Sequence, residues 1–480
     1  MNQSIINLKK SSYNKITSMK NKTLTLFIIL STTFCLTACQ SQNKVNFSSA
    51  SNSSAFVSDS DYSSVLNNLH VKQLTNPDDL NHDVDWSMTQ NSNYKMFKEK
   101  MQVFSTKLSE SFVKSDYSNR KNITISPLSI EMCLGLAVYC SNNQTREELL
   151  SALDIDFATF NQFYKLFYNE LARKYKNESG EITSELSLTN SIWIDDDINL
   201  LESGLNDLNN NYYCNSFSAD FGENNKETVE AMQYFIEQKT HGLLKPDLQF
   251  SPLTLFVLMN TLYLKDIWNG WGGDLTTTSN YQFKNADNSI SNKELLVGST
   301  KSGKTLETAD YSCFFTNTNS GRSLFFVKPN EGKTLKDVFN KDTMQFVLNT
   351  NNYLYQDDEK LERYHTNCVF PEFKAESDID LKAMFVNDFN VRSLFSDACD
   401  FSNITNERGY VNEFKHIAKL DVNKSGIEGA AVTYMAYAGA AGPDEYTDVY
   451  ETFVVDHEFG FILTNYDGDV IFSGAVTNID

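Results

Sequence analysis

Residues 253–264 read LTLFVLMNTLYL, an almost uninterrupted apolar run that is rich in residues favouring β-strands. Strands that are half exposed alternate apolar and polar residues, whereas strands covered on both faces are apolar throughout. This stretch therefore predicts a long central strand in a sheet that other elements cover on both sides.

The segments around this strand change in character along the chain. Residues 94–113 and 130–137 have apolar residues near helical spacing, and Ser126-Pro127 is a plausible start for the second helix. Thr145 is predicted to cap a third helix, with Glu148 three residues later. Strand-like segments dominate the second half, at 323–327, 453–455, 459–463 and 470–476. Helices first and strands later favour an α+β fold with a large sheet.

Composition excludes several classes of protein. The 480 residues are 41% hydrophobic, and 41 basic residues against 62 acidic ones give a net charge of -21. Without a basic cluster we expect no nucleic-acid partner. The eight cysteines form no CxxC pair and the six histidines form no HxxxH or HxH pair, so no metal is expected. Motifs for nucleotide binding, zinc proteolysis and serine hydrolysis are missing, which favours a protein that is not an enzyme and has no cofactor.

The first 38 residues have the pattern of a targeting signal. They carry five lysines and no acidic residue, and Leu24–Leu36 is an apolar run of 13 residues. Such a run is too short to span a bilayer but suits a secretory signal. It ends in Leu36-Thr37-Ala38-Cys39, which resembles a bacterial lipobox and predicts a lipid on Cys39. The alternative is an ordinary secretory signal with an incidental cysteine, and Met19 is an alternative start.

A lipidated Cys39 would hold the protein on the extracellular face of the cell membrane. Residues 39–93 begin as a Ser/Asn-rich segment poor in apolar residues, and we interpret them as a flexible stalk. No further linker is seen in residues 94–480, which are predicted to form one domain.

A run of small residues lies near the C-terminus. Ten glycines and alanines occur between positions 426 and 442, and residues 432–451 show no helix or strand pattern. Side chains of a β-strand alternate between its two faces. If this segment formed a strand, Ile427 would share a face with Gly429, Ala431 and Thr433, while Glu428 would lie on the other face. The segment therefore suits a loop in one state and a central strand in another. A flexible loop with no second state is the alternative.

Several segments in order along residues 94–480 resemble the serpin family. The matching stretches are NITISPLSIEMCLGLA (122–137), NNQTREELLSAL (142–153), LTNSIWI (188–194), SFSADF (216–221), IEQKTHGLLKPDL (236–248), FVLMNTLYLKDIW (256–268), VFPEFKAES (369–377), LFSDACDFSNI (394–404) and DHEF (456–459). The resemblance implies a large, mostly antiparallel sheet, two smaller sheets, eight to nine helices and an exposed reactive-centre loop. It also implies a monomer that acts as a suicide inhibitor of a serine protease, or sometimes of a cysteine protease. In this mechanism the cleaved loop of the inhibitor inserts into its own large sheet.

The resemblance also assigns roles to individual residues. The loop hinge would be Gly426, Ile427, Glu428, Gly429, Ala430, Ala431, Val432 and Thr433. Three positions depart from inhibitory members: Lys424 replaces a glutamate, Ile427 a threonine or serine, and Gly429 an alanine. Ser126, Ser129, Asn260 and His416 would form a hydrogen-bonded shutter below the sheet, and Trp268 would lie where the loop enters. Alternatively, the four shutter residues are a buried polar cluster whose hydrogen bonds only stabilise the fold, and Trp268 is an ordinary core residue.

Counting along the usual loop length places the cleaved bond at Ala440-Ala441. Small residues there suit an elastase-like or subtilisin-like protease. The loop is longer than usual on its C-terminal side, so Tyr437, Tyr446 and Tyr450 are alternatives for a chymotrypsin-like enzyme. Two other functions stay open: a non-inhibitory serpin acting as a binding or chaperone-like surface protein, and a solute-binding lipoprotein.

Overall fold

The structure is a computed structural model that describes most of the chain after residue 58. The described residues are 59–78, 83–118, 121–177, 180–268, 275–279, 281–298, 301–353, 355–357, 359–411, 414–428 and 446–479. The predicted signal segment 1–38 and Cys39 lie outside them. None of the helices in these ranges has both the length and the apolarity needed to cross a membrane.

The described residues form ten α-helices. They are α1 (Asp59–Asn68), α2 (Ser92–Asp116), α3 (Pro127–Cys140), α4 (Asn143–Leu153), α5 (Phe157–Leu171), α6 (Glu202–Tyr212), α7 (Asn225–Lys239), α8 (Leu335–Val338), α9 (Lys341–Leu348) and α10 (Lys382–Asp388). Helix α3 starts earlier than its apolar run because Ser126 caps it, accepting a hydrogen bond from the Ser129 backbone N–H at 3.2 Å. Pro127 then occupies the first turn, where its missing N–H is harmless.

The described strands number 22. They are β1 (Lys72–Thr75), β2 (Ile123–Ile125), β3 (Lys174–Lys176), β4 (Ile182–Asp195), β5 (Cys214–Ala219), β6 (Phe256–Ile267), β7 (Thr276–Thr278), β8 (Phe283–Lys284), β9 (Ile290–Ser291), β10 (Leu295–Val297), β11 (Lys301–Ser302), β12 (Leu306–Glu307), β13 (Tyr311–Asn317), β14 (Ser323–Pro329), β15 (Gln356–Asp357), β16 (Glu362–Pro371), β17 (Phe373–Asp380), β18 (Lys415–Asn423), β19 (Gly426–Ile427), β20 (Thr447–Val454), β21 (Phe459–Thr464) and β22 (Val470–Val476).

These strands form one large sheet, two smaller ones and a short ribbon, as the sequence predicts. The large sheet has the order β1-β5-β4-β6-β19-β18-β17, with β3 pairing to β4, and is antiparallel except between β4 and β5. The predicted central strand is β6, which starts at Phe256 because residues 251–254 form a turn that leaves Leu253 72% exposed.

Helix α3 forms the centre of the core. Every residue from Pro127 to Cys140 is buried, and the helix packs against both β6 of the large sheet and β22 of the β12-β13-β14-β21-β22-β2 sheet. Aromatic side chains of α2 and α5 extend this core, with the Phe97 and Phe167 ring centroids 5.5 Å apart. This main hydrophobic cluster therefore positions the large sheet against the helices, and a second cluster around Trp193 and Phe235 packs α7 on the sheet.

Two local predictions were wrong. Thr145 does not cap α4, because the helix begins at Asn143 and the Glu148 carboxylate instead accepts hydrogen bonds from the backbone N–H groups of Arg392 and Ser393, both at 2.7 Å. The end of the predicted irregular segment, from Thr447, is part of β20.

Part of the predicted stalk is folded. Helix α1 and strand β1 lie within residues 39–93, and Leu66 and Val71 are each only 2% exposed. Strand β1 pairs antiparallel with β5 at the edge of the large sheet. These apolar residues supply burial that a Ser/Asn-rich tether lacks, so the expectation of a flexible stalk is wrong for residues 59–78.

Candidate functional site

The large sheet has a gap between two of its central strands. Strand β6 pairs with β4 on one side and β18 pairs with β17 on the other. Among the described residues no ladder joins β6 directly to β18, and only the two-residue strand β19 lies between them. Because unpaired backbone groups of a central strand are costly to bury, the gap is a natural place for another strand.

The first hinge residues close one end of this gap. Gly426 and Ile427 pair with Ile267 and Asp266 of β6 and with Asn423 and Val422 of β18. The Ile427 side chain is fully buried. A Cβ atom on Gly426 would lie 2.1 Å from the Asp266 carbonyl oxygen, so only glycine permits this close approach. The structure thus places the beginning of the predicted hinge in the sheet.

Glu428 leaves the strand direction. Its φ is +48°, in the left-handed region, and its backbone N–H donates to the Asp421 carbonyl oxygen at 2.8 Å. Its side chain is largely covered. The pKa of Glu428 is raised to about 7. Burial is the main cause and the charge of Asp421 adds to it, while the hydrogen bond to Tyr263 and the charges of Lys419 and Lys265 partly oppose the rise.

The remaining hinge residues, Gly429, Ala430, Ala431, Val432 and Thr433, lie outside the described residues. So do Ala440, Ala441 and the alternative Tyr437. Tyr450 is described, and its backbone lies in the β16–β20 ladder opposite His365. A bond held in a sheet cannot extend into a protease cleft, so Tyr450 is excluded as the cleaved residue.

A hydrogen-bonded cluster lies below the gap. The Ser126 backbone N–H donates to His416 Nε2 at 3.1 Å, and the Ser126 hydroxyl donates to the Ile471 carbonyl at 2.8 Å. The Ser129 hydroxyl donates to the Asn260 carbonyl at 3.4 Å. A small cavity is lined by both serines, by Leu262 of β6 and by Ala418 of β18. Helix α3 therefore reaches both strands that border the gap.

Burial fixes the protonation of the histidine in this cluster. His416 is 6% exposed, and desolvation lowers its pKa to about 3. The neutral ring accepts a hydrogen bond at Nε2, which is the role that the bond from the Ser126 N–H requires.

Asn260 contacts a different partner. Its Nδ2 group donates to Asn190 Oδ1 on β4 at 2.9 Å, while its own Oδ1 is buried without a hydrogen-bond partner. Asn190 in turn donates to the Tyr164 hydroxyl at 2.8 Å. Of the predicted shutter residues, the two serines thus contact His416 and Asn260 separately. Sequence reasoning missed Asn190 and Tyr164, which no motif links to the cluster.

Trp268 lies at the end of β6, next to the seated hinge. It is 1% exposed, its Nε1 donates to the Asn423 carbonyl at 2.7 Å, and its ring meets Phe370 edge-on at 5.6 Å. The indole therefore joins β6 to the end of β18, where the chain turns back into β19.

A buried ion pair supports the same end of the sheet. Arg322 Nη1 lies 2.7 Å from Asp266 Oδ2, with side-chain exposures of 6% and 0%. Asp266 is the residue of β6 that pairs with Ile427, so this ion pair lies next to the backbone that holds the hinge. The partners are 56 positions apart, and the sequence offered no signal for them.

Three described carboxylates, Asp195, Asp196 and Asp220, lie within 4.8 Å of one another. They are partly exposed, and acidic groups often cluster in this way without an ion. No metal is assigned to them.

The described residues thus form a sheet with a gap between two central strands and a two-residue segment paired at one end of that gap. A family model described as "Serpin (serine protease inhibitor)" matches residues 99–479. The chain belongs to the serpin family, which is a family of protease inhibitors and not of enzymes.

Relatives agree with this assignment. Iripin-1 of Ixodes ricinus is 25% identical over 376 residues, covering 75% of this chain and 89% of that protein. Serpin48 of the insect Tenebrio molitor is similar in structure, with a TM-score of 0.65, 23% identity and coverage of 80% and 99% of the two chains. Human thyroxine-binding globulin also has a TM-score of 0.65, at 18% identity with coverage of 81% and 99%. The structural likenesses confirm the serpin fold.

Proposed function

We propose that this protein is a suicide-substrate inhibitor of a serine protease. The observation that carries the proposal is the gap between β6 and β18, with Gly426 and Ile427 already seated at one end. Because β19 runs antiparallel to both neighbours, a loop that continues in the same direction fills the gap with correct antiparallel pairing.

The segment from the hinge to the proposed cleaved bond is long enough to fill the gap. Residues 426–440 number 15 and would span about 50 Å as a strand, at about 3.3 Å per residue. The 12 residues of β6 span about 40 Å by the same measure. Cleavage after Ala440 would therefore free a segment that can run the full length of β6 and carry Ala440 to the end of the sheet opposite Gly426.

The chemistry follows from this geometry. The protease serine attacks the Ala440 carbonyl, the bond to the Ala441 nitrogen breaks, and that nitrogen leaves with a proton. An ester then joins the protease to Ala440. Insertion carries the ester away from its original position before water hydrolyses it. The small residues at 440 and 441 favour an elastase-like or subtilisin-like target, and the inhibitor acts as a monomer.

The test uses the chain from residue 40 with pancreatic elastase, subtilisin and chymotrypsin. A complex that survives denaturing electrophoresis, with release of residues 441–480, is the expected result. Ile427→Arg is the matched control, since it keeps the cleaved bond but places a charge at a buried position. It should be cut without forming the complex. Clean cutting of the unaltered chain by every enzyme, with full recovery of protease activity, would overturn the proposal.

That last outcome would favour a non-inhibitory serpin acting as a binding or chaperone-like surface protein. The observation that favours this second candidate is the bulky Ile427 at a hinge position where inhibitory members carry a threonine or serine. Stabilisation of the folded chain by a bound ligand would support it.

The proposal extends to location. The Leu36-Thr37-Ala38-Cys39 sequence supports a bacterial lipoprotein that is anchored by a lipid on Cys39 and exposed on the extracellular face of the cell membrane, from which it can be shed. In a bacterial host that processes lipoproteins, Cys39→Ser should move the protein from the membrane fraction to a soluble one. Equal membrane association of both forms would contradict the lipid anchor.

A further inference from the structure

Three side chains with rings lie together on and beside strand β20. Tyr450 on β20 is 72% exposed, and Tyr355, just before β15, is 40% exposed. The His365 ring contacts both: it stacks on Tyr450 with centroids 5.1 Å apart, and meets Tyr355 edge-on at 6.4 Å. We call Tyr355, His365 and Tyr450 the aromatic patch.

The patch is held in place by charged neighbours. His365 Nε2 lies 2.9 Å from Asp448 Oδ1, and Arg363 Nε donates to the same oxygen at 2.7 Å. Asp448 pairs with Arg363, and Tyr450 pairs with His365, so these four side chains share one face of the sheet. The hydrogen bonds from Arg363 and His365 lower the pKa of Asp448 to about 2, which keeps its carboxylate charged.

An aromatic side chain fixed in this way suits a binding surface. Tyrosine and arginine are enriched among the residues that dominate protein interfaces, because they bury a large area and lose little conformational freedom. Tyr450 contributes little to the core, since most of its surface is in solvent. A partner that covered the ring would remove this apolar surface from water.

The distance to the proposed cleaved bond is short. Ala441 and Thr447 are six residues apart, so the chain between them spans at most about 22 Å. Tyr450 lies about 10 Å further along β20. A protease of about 230 residues has a radius of gyration of about 17 Å. An enzyme bound at Ala440-Ala441 therefore has the aromatic patch within reach.

We propose that the aromatic patch is a second contact surface for the target protease, on the C-terminal side of the cleaved bond, and that it fits an enzyme with a basic rim there. The inference rests on the proposed inhibitory function. A lysine or arginine on the protease could stack on the Tyr450 ring, and the chain's net charge of -21 attracts a basic partner.

The test compares three full-length proteins: the unaltered chain, Tyr450→Ala and the control Tyr466→Ala. Tyr466 is 85% exposed and follows β21, in a different sheet. With a protease that forms the covalent complex, the measurements are the second-order rate of complex formation and the number of inhibitor molecules consumed per complex. Tyr450→Ala should lower the rate about tenfold without changing the consumption. Tyr466→Ala should change neither quantity.

The outcomes separate the two proposals. Equal rates of complex formation for all three proteins would overturn the proposal that the aromatic patch contacts the protease, and would leave the proposed inhibitory function standing. A change in consumption would also overturn the patch, because it would mean that Tyr450 affects loop insertion and not docking. Absence of a covalent complex with any protease would overturn the proposed function and this inference together. Tyr450→Phe, which keeps the ring and the fold, should retain the unaltered rate, and a tenfold loss in this variant would contradict stacking on the ring.

Discussion

Ile427 pairs with Asp266 of β6, and its side chain is fully buried in the intact chain. The segment that is proposed to enter the sheet after cleavage has therefore begun to enter before it. Burial of an isoleucine favours this seat, whereas a threonine or serine at the same position would hold it less firmly. The replacement of threonine or serine by Ile427 thus determines how strongly the start of the hinge is held in the sheet.

We expect Ile427→Ala to lower the free energy of unfolding by about 2–4 kcal/mol, because it removes buried methyl groups and leaves a cavity. Urea unfolding measures the change. Leu253→Ala is the control, since Leu253 is 72% exposed and its loss should have an effect within about 0.5 kcal/mol. Similar losses for the two variants would mean that Ile427 is not seated in solution.

The raised pKa of Glu428 predicts a pH-dependent stability. The folded pKa of about 7 lies above the ordinary value, so the folded chain binds more protons than the unfolded chain between about pH 4.5 and 7. Stability contributed by the protonated form is thus lost as pH rises through this window. Relative to the unaltered chain, Glu428→Gln should gain about 3 kcal/mol at pH 8 and little at pH 4.5.

Unfolding in urea at both pH values measures that difference. Glu376→Gln, at an exposed position on β17, is the matched control and should show no such gain. A constant difference between Glu428→Gln and the unaltered chain at both pH values would contradict burial of the Glu428 carboxylate.

His416 predicts the opposite slope. Its folded pKa of about 3 lies below the ordinary value, so stability is complete above about pH 6.5 and is lost as pH falls toward 3. Lowering the pH from 7.5 to 5 should reduce the free energy of unfolding by about 2 kcal/mol through this residue. His416→Gln should lose that part of the slope. His365→Gln, on the patch, should keep it, and equal slopes for both variants would contradict the prediction.

The order of the elements was predictable because it depends on local patterns. The apolar run that became β6, the helical spacing in α2 and the cap at Ser126 are all readable from neighbouring residues. The order in which the serpin-like segments follow one another along the chain then identified the family. Helix boundaries shifted by a few residues because caps and turns, and not apolar spacing, decide where an element starts.

Contacts between distant residues were not predictable. Gly460 is one example, because a Cβ atom at this position would lie 2.3 Å from a ring atom of Phe339, 121 residues earlier in the chain. Asn190 and Tyr164 join the cluster below the gap through tertiary contacts that leave no spacing in the sequence. The position of Glu428 depends on a positive φ and a fold around it, which a period-two pattern cannot express.

The ion pair between Arg322 and Asp266 should be essential for the end of the sheet that holds the hinge. Both side chains are buried, so Arg322→Met leaves an uncompensated carboxylate in the core. The expected loss is about 3–5 kcal/mol in urea unfolding. Lys374→Met breaks the ion pair of Lys374 and Asp421, in which the lysine is 74% exposed, and should lose less than about 1 kcal/mol. Equal losses would mean that water reaches the Arg322 pair.

The folded part of the predicted stalk supplies the last prediction. Leu66 of α1 packs in a cluster with Trp193 and Phe235, and Tyr62 stacks on Tyr234 of α7 with ring centroids 5.8 Å apart. Because α7 and the large sheet contribute to the same cluster, Leu66→Ala should lower the free energy of unfolding by about 2–4 kcal/mol. Asn67→Ala, at the exposed neighbouring position, should change it by less than about 0.5 kcal/mol. If residues 59–78 were a free tether, the two variants would not differ. Equal free energies of unfolding in urea would therefore support the original expectation of a flexible stalk.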